Sequence, residues 1–381
     1  MLRLVKIFLN IVFLIPVLVF PRDVRNANDC SECHSKIYAE WKTSRHALSA
    51  AQTNPLYAKM VAWVSKAKGA EAGHRCKRCH EPIRFLNLPS AVVEQVANEG
   101  VTCDVCHATR LVAENGQPWF EVVPGNIKLG PLKDALSTVH SFEFSPQISE
   151  SSFCLSCHSN AENPHGVTFC STEDEWQKSS FAKNDITCQD CHMPGMEGKV
   201  APLGKMREQL HSHVFYGGYS QEMLNECADI NVRAKRVGNS VQVEIAVKNY
   251  TVGHALPTGS PMRMVILSVE AQDSSGLPVW KNYYQNPLKE DPKAVFMKLL
   301  QDKNGNAPVL PWEAVSEKFD QRLKADEKRT LTYQFTDTSA VFIQADLNYR
   351  VAPPPLLKKL GITDEQYTKV KVITKKRVTI D

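Results

Sequence analysis

Apolar positions follow two regimes along the chain, and the change falls near residue 228. Beyond it, alternation dominates. INVRAKRV (230–237) and SVQVEIAVKNY (240–250) flank Gly238-Asn239 and read as a hairpin, and MRMVILSVEAQD (262–273) leads into a Ser-Ser-Gly turn. RTLTYQFTD (329–337), FIQADLNYRV (342–351) and YTKVKVITKKRVTI (367–380) continue the period. Such strands predict an antiparallel β-sandwich-like domain over 228–381, broken by an insert at 280–325 that carries Trp280, Trp312 and several prolines. Before residue 228 the runs are short. Ile37, Trp41 and Leu48 have helical spacing, which predicts a helix over 37–51, while Pro89 and Gly100 bracket another short helix. The remainder of 28–227 reads as short helix and loop, so the fold class is α+β.

The first residues form a third pattern. Arg3 and Lys6 precede an apolar run at 7–20 that only Asn10 interrupts. Fourteen residues at about 1.5 Å each span roughly 21 Å, short of the roughly 30 Å hydrocarbon core of a bilayer. The pattern is that of a secretory signal over 1–27, with Ala27 as the cleavage point even though Arg25 stands where a small residue is preferred. Periplasmic or extracellular location follows from this reading. If the segment is retained, residues 1–20 tie the protein to a membrane.

The chain has 12 cysteines, and ten of them fall in five Cys-x-x-Cys-His motifs. In chain order these are Cys30, Cys33 and His34 (motif 1); Cys76, Cys79 and His80 (motif 2); Cys103, Cys106 and His107 (motif 3); Cys154, Cys157 and His158 (motif 4); and Cys188, Cys191 and His192 (motif 5). Two cysteines at this spacing reach the two vinyl groups on one porphyrin edge, and the adjacent histidine swings beneath the ring to bind iron. Zinc, a dithiol redox site or a disulfide framework would leave the invariable histidine unexplained. The motifs therefore predict five covalently bound haem c groups, each with one iron and one proximal histidine. At one haem per forty residues, the porphyrins themselves form the core of a cytochrome domain at 28–227. EGVTCDVCH (99–107) and NDITCQDCH (184–192) form a weak internal repeat. Cys170 and Cys227 remain, and in an oxidising compartment they most simply form a disulfide.

Charge changes the picture only after correction. The formal net charge is +4. Loss of the leader removes about three positive charges, and each haem adds about one negative, which leaves the holoprotein near −4. No basic run interleaved with aromatics occurs, so nucleic acid is not an expected partner.

Of the 12 histidines, seven lie outside the motifs: His46, His74, His140, His165, His211, His213 and His254. Low-spin iron takes a second nitrogen, so these are candidate distal ligands. His46 falls on the predicted 37–51 helix, which would lay Trp41 against one porphyrin and offer His46 to another. His140 precedes motif 4, His213 stands in HSHVFYGG (211–218), and His254 lies in a Gly/Pro-rigidified loop between two strands, projecting from the β domain toward the haems. His74 is too close to Cys76 to reach its own haem and would serve a neighbour. His165 and His211 read as surface residues or propionate contacts, and the fifth distal ligand stays open among His74, His165 and His211. Met193 and Met196 flank a turn and read as packing residues. All-histidine ligation predicts potentials below those of His/Met cytochromes.

W-x-x-S-R-H (41–46), CQDCHMP (188–194), HSHVFYGG and GHALPTG-x-P-x-R (253–263) together resemble the cytochrome c-554-like multihaem family. The resemblance covers most of the chain and implies an exported electron carrier with closely stacked bis-histidine haems. It implies distal roles for His46, His140, His213 and His254. Family members usually carry four haems, and some leave one iron five-coordinate. The expected function is electron transfer between redox partners, such as a quinol dehydrogenase or other cytochromes, rather than catalysis. The rivals are reduction of a small nitrogen or sulfur compound at one open haem, and self-association into a haem filament. All five motifs end in His, unlike the Lys-ligated active haem of pentahaem nitrite reductases.

Overall fold

The computed structural model describes residues 23–114 and 117–381; most of the leader, at 1–22, lies outside them. Among the described residues no helix is long and apolar enough to cross a membrane.

The alternating segments form strands as read. Asp229–Val237 and Ser240–Lys248 pair antiparallel with Val237 opposite Ser240, and Lys328–Thr336 pairs along the other edge of Ser240–Lys248. In a second sheet Met264–Gln272 lies between Pro278–Lys281 and Phe342–Arg350, Lys371–Thr379 closes the far edge, and Val295–Phe296 adds a short pairing. Val241, Val243 and Ile245 from the first sheet share one buried core with Val265, Leu267, Val269, Ile343 and Leu347 from the second. Each such side chain, fully buried, contributes roughly 1.5–3 kcal/mol. The mixed helix-and-strand class is as expected, and the two sheets are small, of three and five strands. The last strand starts at Lys371 because Asp364 caps a short helix, Glu365–Thr368, in front of it.

Two expectations for the first half need correction. The helix expected over 37–51 is Ser35–Thr43 and stops at Ser44, whose backbone is extended (φ −76°, ψ 162°). His46 therefore stands in the turn that follows, where the Ser44 hydroxyl accepts the Ala47 N–H at 3.4 Å. The segments between motifs are also not all helix and loop. They include two-stranded ribbons: Thr109–Glu114 with Gln117–Val122, Ile127–Gly130 with Ser141–Phe144, Asn160–Glu162 with Thr168–Ser171, and Gly195–Lys199 with Met206–His211. The helix after Pro89 is Ser90–Val96, and Gly100 ends the following turn with φ +73°.

Residues 23–27, assigned to the leader's end by the sequence pattern, are packed. Val24 and Ala27 are buried, the Arg25 N–H donates to Asp104 Oδ2 at 2.7 Å, and the Ala27 N–H donates to Glu99 Oε2 at 2.9 Å. The two halves are also joined. Leu56, Met60 and Trp63, on the helix Pro55–Lys68, pack against the β core. Arg322 pairs with Glu175 at 2.5 Å in a largely buried contact.

Candidate haem cavity

The side chains of all five motifs line one continuous cavity of about 2650 Å³. A single small-molecule site takes roughly 300–1,000 Å³, so this space suits several large groups rather than one. Each motif lies on a helix or helical turn, which puts the histidine one turn from the first cysteine: the His34 N–H donates to the Cys30 carbonyl at 2.8 Å, and the His158 N–H to that of Cys154 at 3.0 Å. Motif 5 is a helix, Cys188–His192, started by a reciprocal cap between Thr187 and Asp190.

The repeat seen around motifs 3 and 5 is larger than the sequence suggested. Gly100 and Asp185 stand at the same offset before their motifs, with φ +73° and +56°. The indole N–H of Trp41 donates to the Val101 carbonyl at 2.8 Å, and that of Trp176 to the Ile186 carbonyl at 3.2 Å. Each Trp is followed three residues later by an extended serine, Ser44 or Ser179, whose N–H returns to the Trp carbonyl. The signal was present as WKTS and WQKS. It was missed because motif 2 and its two helices, Pro55–Lys68 and Ala70–His80, intervene in the first copy only.

Four ring pairs span the cavity. His34 and His140 have ring centroids 6.4 Å apart, His46 and His158 6.2 Å, His107 and His213 6.2 Å, and His192 and His254 6.1 Å. With metal–nitrogen bonds of about 2.0–2.1 Å and roughly 1.1 Å from nitrogen to ring centre, two imidazoles facing one metal stand about 6.3 Å apart. Each pair joins one motif histidine to one of the four non-motif histidines named above. The fifth motif histidine differs. The His80 ring stacks face to face on Tyr57 at 4.0 Å with planes 7° apart, a contact too short to admit a metal between them.

Hydrogen bonds orient the rings. Nδ1 of His34 meets the Val200 carbonyl at 2.9 Å, that of His80 the Ser49 carbonyl at 3.1 Å, that of His107 the Leu129 carbonyl at 2.7 Å, and that of His192 the Tyr216 carbonyl at 2.5 Å. On the other side of the pairs, His140, His213 and His254 meet the carbonyls of Ser141, His211 and Ala255 at 3.0, 2.9 and 2.9 Å. A carbonyl accepts only from a protonated Nδ1, so in the neutral ring each contact leaves Nε2 unprotonated with its lone pair free, the arrangement metal-bound histidines adopt. Among the described residues the rings of His46 and His158 take no such bond, and His46 Nδ1 is buried without a partner. Burial, with His158, His192 and His213 nearby, pushes the His46 imidazolium down to about 3. Burial likewise lowers His158, His213 and His254 to about 4, which keeps these rings neutral and able to bind a metal.

The motifs adjoin one another in a definite order. Cys30 neighbours Cys103, Cys79 neighbours Cys157, and Cys154 neighbours Cys188. Phe215 lies between two of the ring pairs, 4.2 Å from His46 and 5.8 Å from His213, and holds a left-handed backbone (φ 52°) unusual for a bulky residue. A Cβ on Gly100 would stand 2.4 Å from the His46 carbonyl, so only glycine allows the His46 turn to approach motif 3.

The remaining candidates sit elsewhere. His74 packs on Phe85 at 4.8 Å, His211 gives its Nδ1 to the Met193 carbonyl at 2.7 Å, and His165 is exposed on the cavity wall; none is paired with a motif ring. Met196 lies on the ribbon after motif 5. Cys170 and Cys227, for which a disulfide is expected, are not bonded to each other in this structure. Both are free: Cys227 is enclosed in the β core, and Cys170 Sγ contacts Thr172 Oγ1 at 3.8 Å.

Cysteine pairs on a cavity of this size, beside histidines with free Nε2 atoms, fit covalently held haem c. Residues 29–108, which contain motifs 1–3, match the family described as cytochrome c554 and c-prime. In fold the chain is similar to a penta-haem cytochrome c552 from Thermochromatium tepidum, with a TM-score of 0.76, 24% identity, and coverage of 93% of this chain and 99% of that one. No curated protein matches the chain.

Proposed function

We propose that this protein is an exported electron carrier with five covalently attached haems, four of them held between histidine pairs. The four ring pairs at 6.1–6.4 Å are the observation that carries this reading. Cys30, Cys33, Cys76, Cys79, Cys103, Cys106, Cys154, Cys157, Cys188 and Cys191 attach the porphyrins, and the motif histidines bind iron from one side. His140, His213, His46 and His254 bind the irons of motifs 1, 3, 4 and 5 from the other. The neighbouring motif cysteines support a route in which haem 1 adjoins haem 3, and haem 4 adjoins both haem 2 and haem 5. Phe215, between His213 and His46, links haems 3 and 4. Haem 4 is thus the junction, and electrons pass between redox protein partners through it. The chain's contribution is to hold the haems close and keep water away from them. The basic-then-apolar leader favours a periplasmic or extracellular site of action.

A second reading rests on His80. Its ring has Tyr57 beside it and no histidine across from it, which leaves haem 2 open to a small nitrogen or sulfur compound. Intact mass, with EPR and magnetic circular dichroism of the oxidised protein, tests both. Five haems with four low-spin bis-histidine signals are expected. Fewer than four such signals would sink the electron-carrier assignment as drawn. A high-spin signal that nitrite or cyanide converts to low-spin would promote the second reading.

A further inference from the structure

The repeat around motifs 3 and 5 carries one residue more than its Trp and Ser. Glu40 precedes Trp41 and Glu175 precedes Trp176, so the shared segment is Glu-Trp-x-x-Ser at 40–44 and 175–179. Consecutive residues on a helix leave the axis about 100° apart, so such a dipeptide reaches two separate neighbours. The tryptophans take the motif side. Each indole N–H meets the carbonyl two residues before the first motif cysteine, Val101 before Cys103 and Ile186 before Cys188. The glutamates take the opposite side. Glu40 Oε2 accepts the backbone N–H of His213 at 2.8 Å and the Ser212 hydroxyl at 3.4 Å. Glu175 Oε2 accepts the N–H of Ala255, next to His254, at 3.2 Å and the Thr258 hydroxyl at 2.5 Å. His213 and His254 are the rings that face His107 and His192, the histidines of motifs 3 and 5. Each dipeptide therefore grips both members of one ring pair.

These two pairs are also the nearest to parallel. His107 and His213 have planes 26° apart and His192 and His254 7°, against 38° for His34 with His140 and 40° for His46 with His158. In the tilted pairs the backbone at the non-motif histidine is held only locally. The His140 N–H meets the Ser137 hydroxyl at 3.3 Å, and the N–H of Ala47, next to His46, meets the Ser44 hydroxyl at 3.4 Å.

We propose that Glu40 and Glu175 are positioning residues for the distal ligands of haems 3 and 5, and that each Glu-Trp pair is a brace setting the separation and angle of the two imidazoles across one haem. The inference rests on the haem assignment above. A carboxylate suits the task because it only accepts, and its charge strengthens each bond it takes. Glu175 is itself held by Arg322 at 2.5 Å, so Glu40, whose variants leave that ion pair intact, is the site to test.

The test is EPR and magnetic circular dichroism of the oxidised holoprotein, with haem number fixed by intact mass. In Glu40→Ala one of the four low-spin bis-histidine signals gives way to a high-spin signal, added imidazole restores it, and the other three stay in place. Glu40→Gln, which keeps an acceptor oxygen at the same reach, retains all four. Trp41→Phe removes the opposite contact, disturbs the same signal, and serves if the Ala variant does not fold. Full haem content in Glu40→Ala with all four signals unchanged, or with all four diminished alike, overturns the proposal. A loss that imidazole does not repair also overturns it, because more than the ligand's position would then have failed. A wild-type protein without four such signals defeats the haem assignment instead, before any variant is made.

Discussion

From residue 228 onward, Val243, Ile245, Leu267, Ile343 and Leu347 bury against one another in a single continuous core. Before residue 228 the buried side chains form smaller groups, such as Trp41 with Ala27 and Ala47, or Val105 with Trp119 and Phe153, around a cavity of about 2650 Å³. One half carries its own filling, and the other is built around a group that must be supplied. The two halves should therefore answer differently to the same kind of damage.

The largest effect is expected from Cys154→Ala with Cys157→Ala, which frees the haem at the junction. The first half should lose its protease resistance while the strand signal in far-UV circular dichroism survives; equal loss of both would erase the contrast. Next is Arg322→Ala, which strips Glu175 of its partner between the halves and should cost about 3–5 kcal/mol in denaturant unfolding. The same pair sets an acid response. Burial pushes the Glu175 carboxyl up, but Arg322 and the hydroxyls of Ser171 and Thr258 outweigh it and hold the group below its ordinary value. The stabilisation is complete above the ordinary glutamate value of about 4.3 and is lost as pH falls through the lowered one. Wild type and Glu175→Gln should therefore converge in stability in acid, and a constant difference down to pH 2 would contradict this. Leu267→Ala, in the self-filled half, should cost about 2–5 kcal/mol and leave the haem spectrum unchanged. Last is Gly100→Ala, where backbone strain alone costs about 1–3 kcal/mol and the clash with the His46 carbonyl adds to it. Its Cβ would press on the His46 turn, so a change in the low-spin spectrum of haem 4 is its diagnostic.

How far the chain could be read in advance follows the same division. In Asp229–Val237 and Phe342–Arg350 alternating residues are buried, and alternation is visible in any strand with one wet face. The motifs were legible because their chemistry is local. Helix and ribbon between motifs were not, since those segments answer to distant partners: Leu129 and Val200 offer carbonyls to histidines far away in sequence. The helix break at Ser44 depends on backbone geometry that Trp-Lys-Thr-Ser does not announce. His46, His140, His213 and His254 could be named from context, but which motif ring each one faces could not, nor could the isolation of His80.

The way the ring pairs cross the chain bears on how the molecule is assembled. A chain made from its N-terminus presents motif 1 long before His140, motif 3 long before His213, and motif 5 well before His254. Only motif 4 finds its partner, His46, already synthesised. The junction can be completed first, from residues 46–158 alone, and the outer sites close around it in turn. The last closure waits for the Ser240–Lys248 strand and the loop beyond it, so a chain truncated before residue 254 would leave the His192 ring without its partner however well the rest had folded.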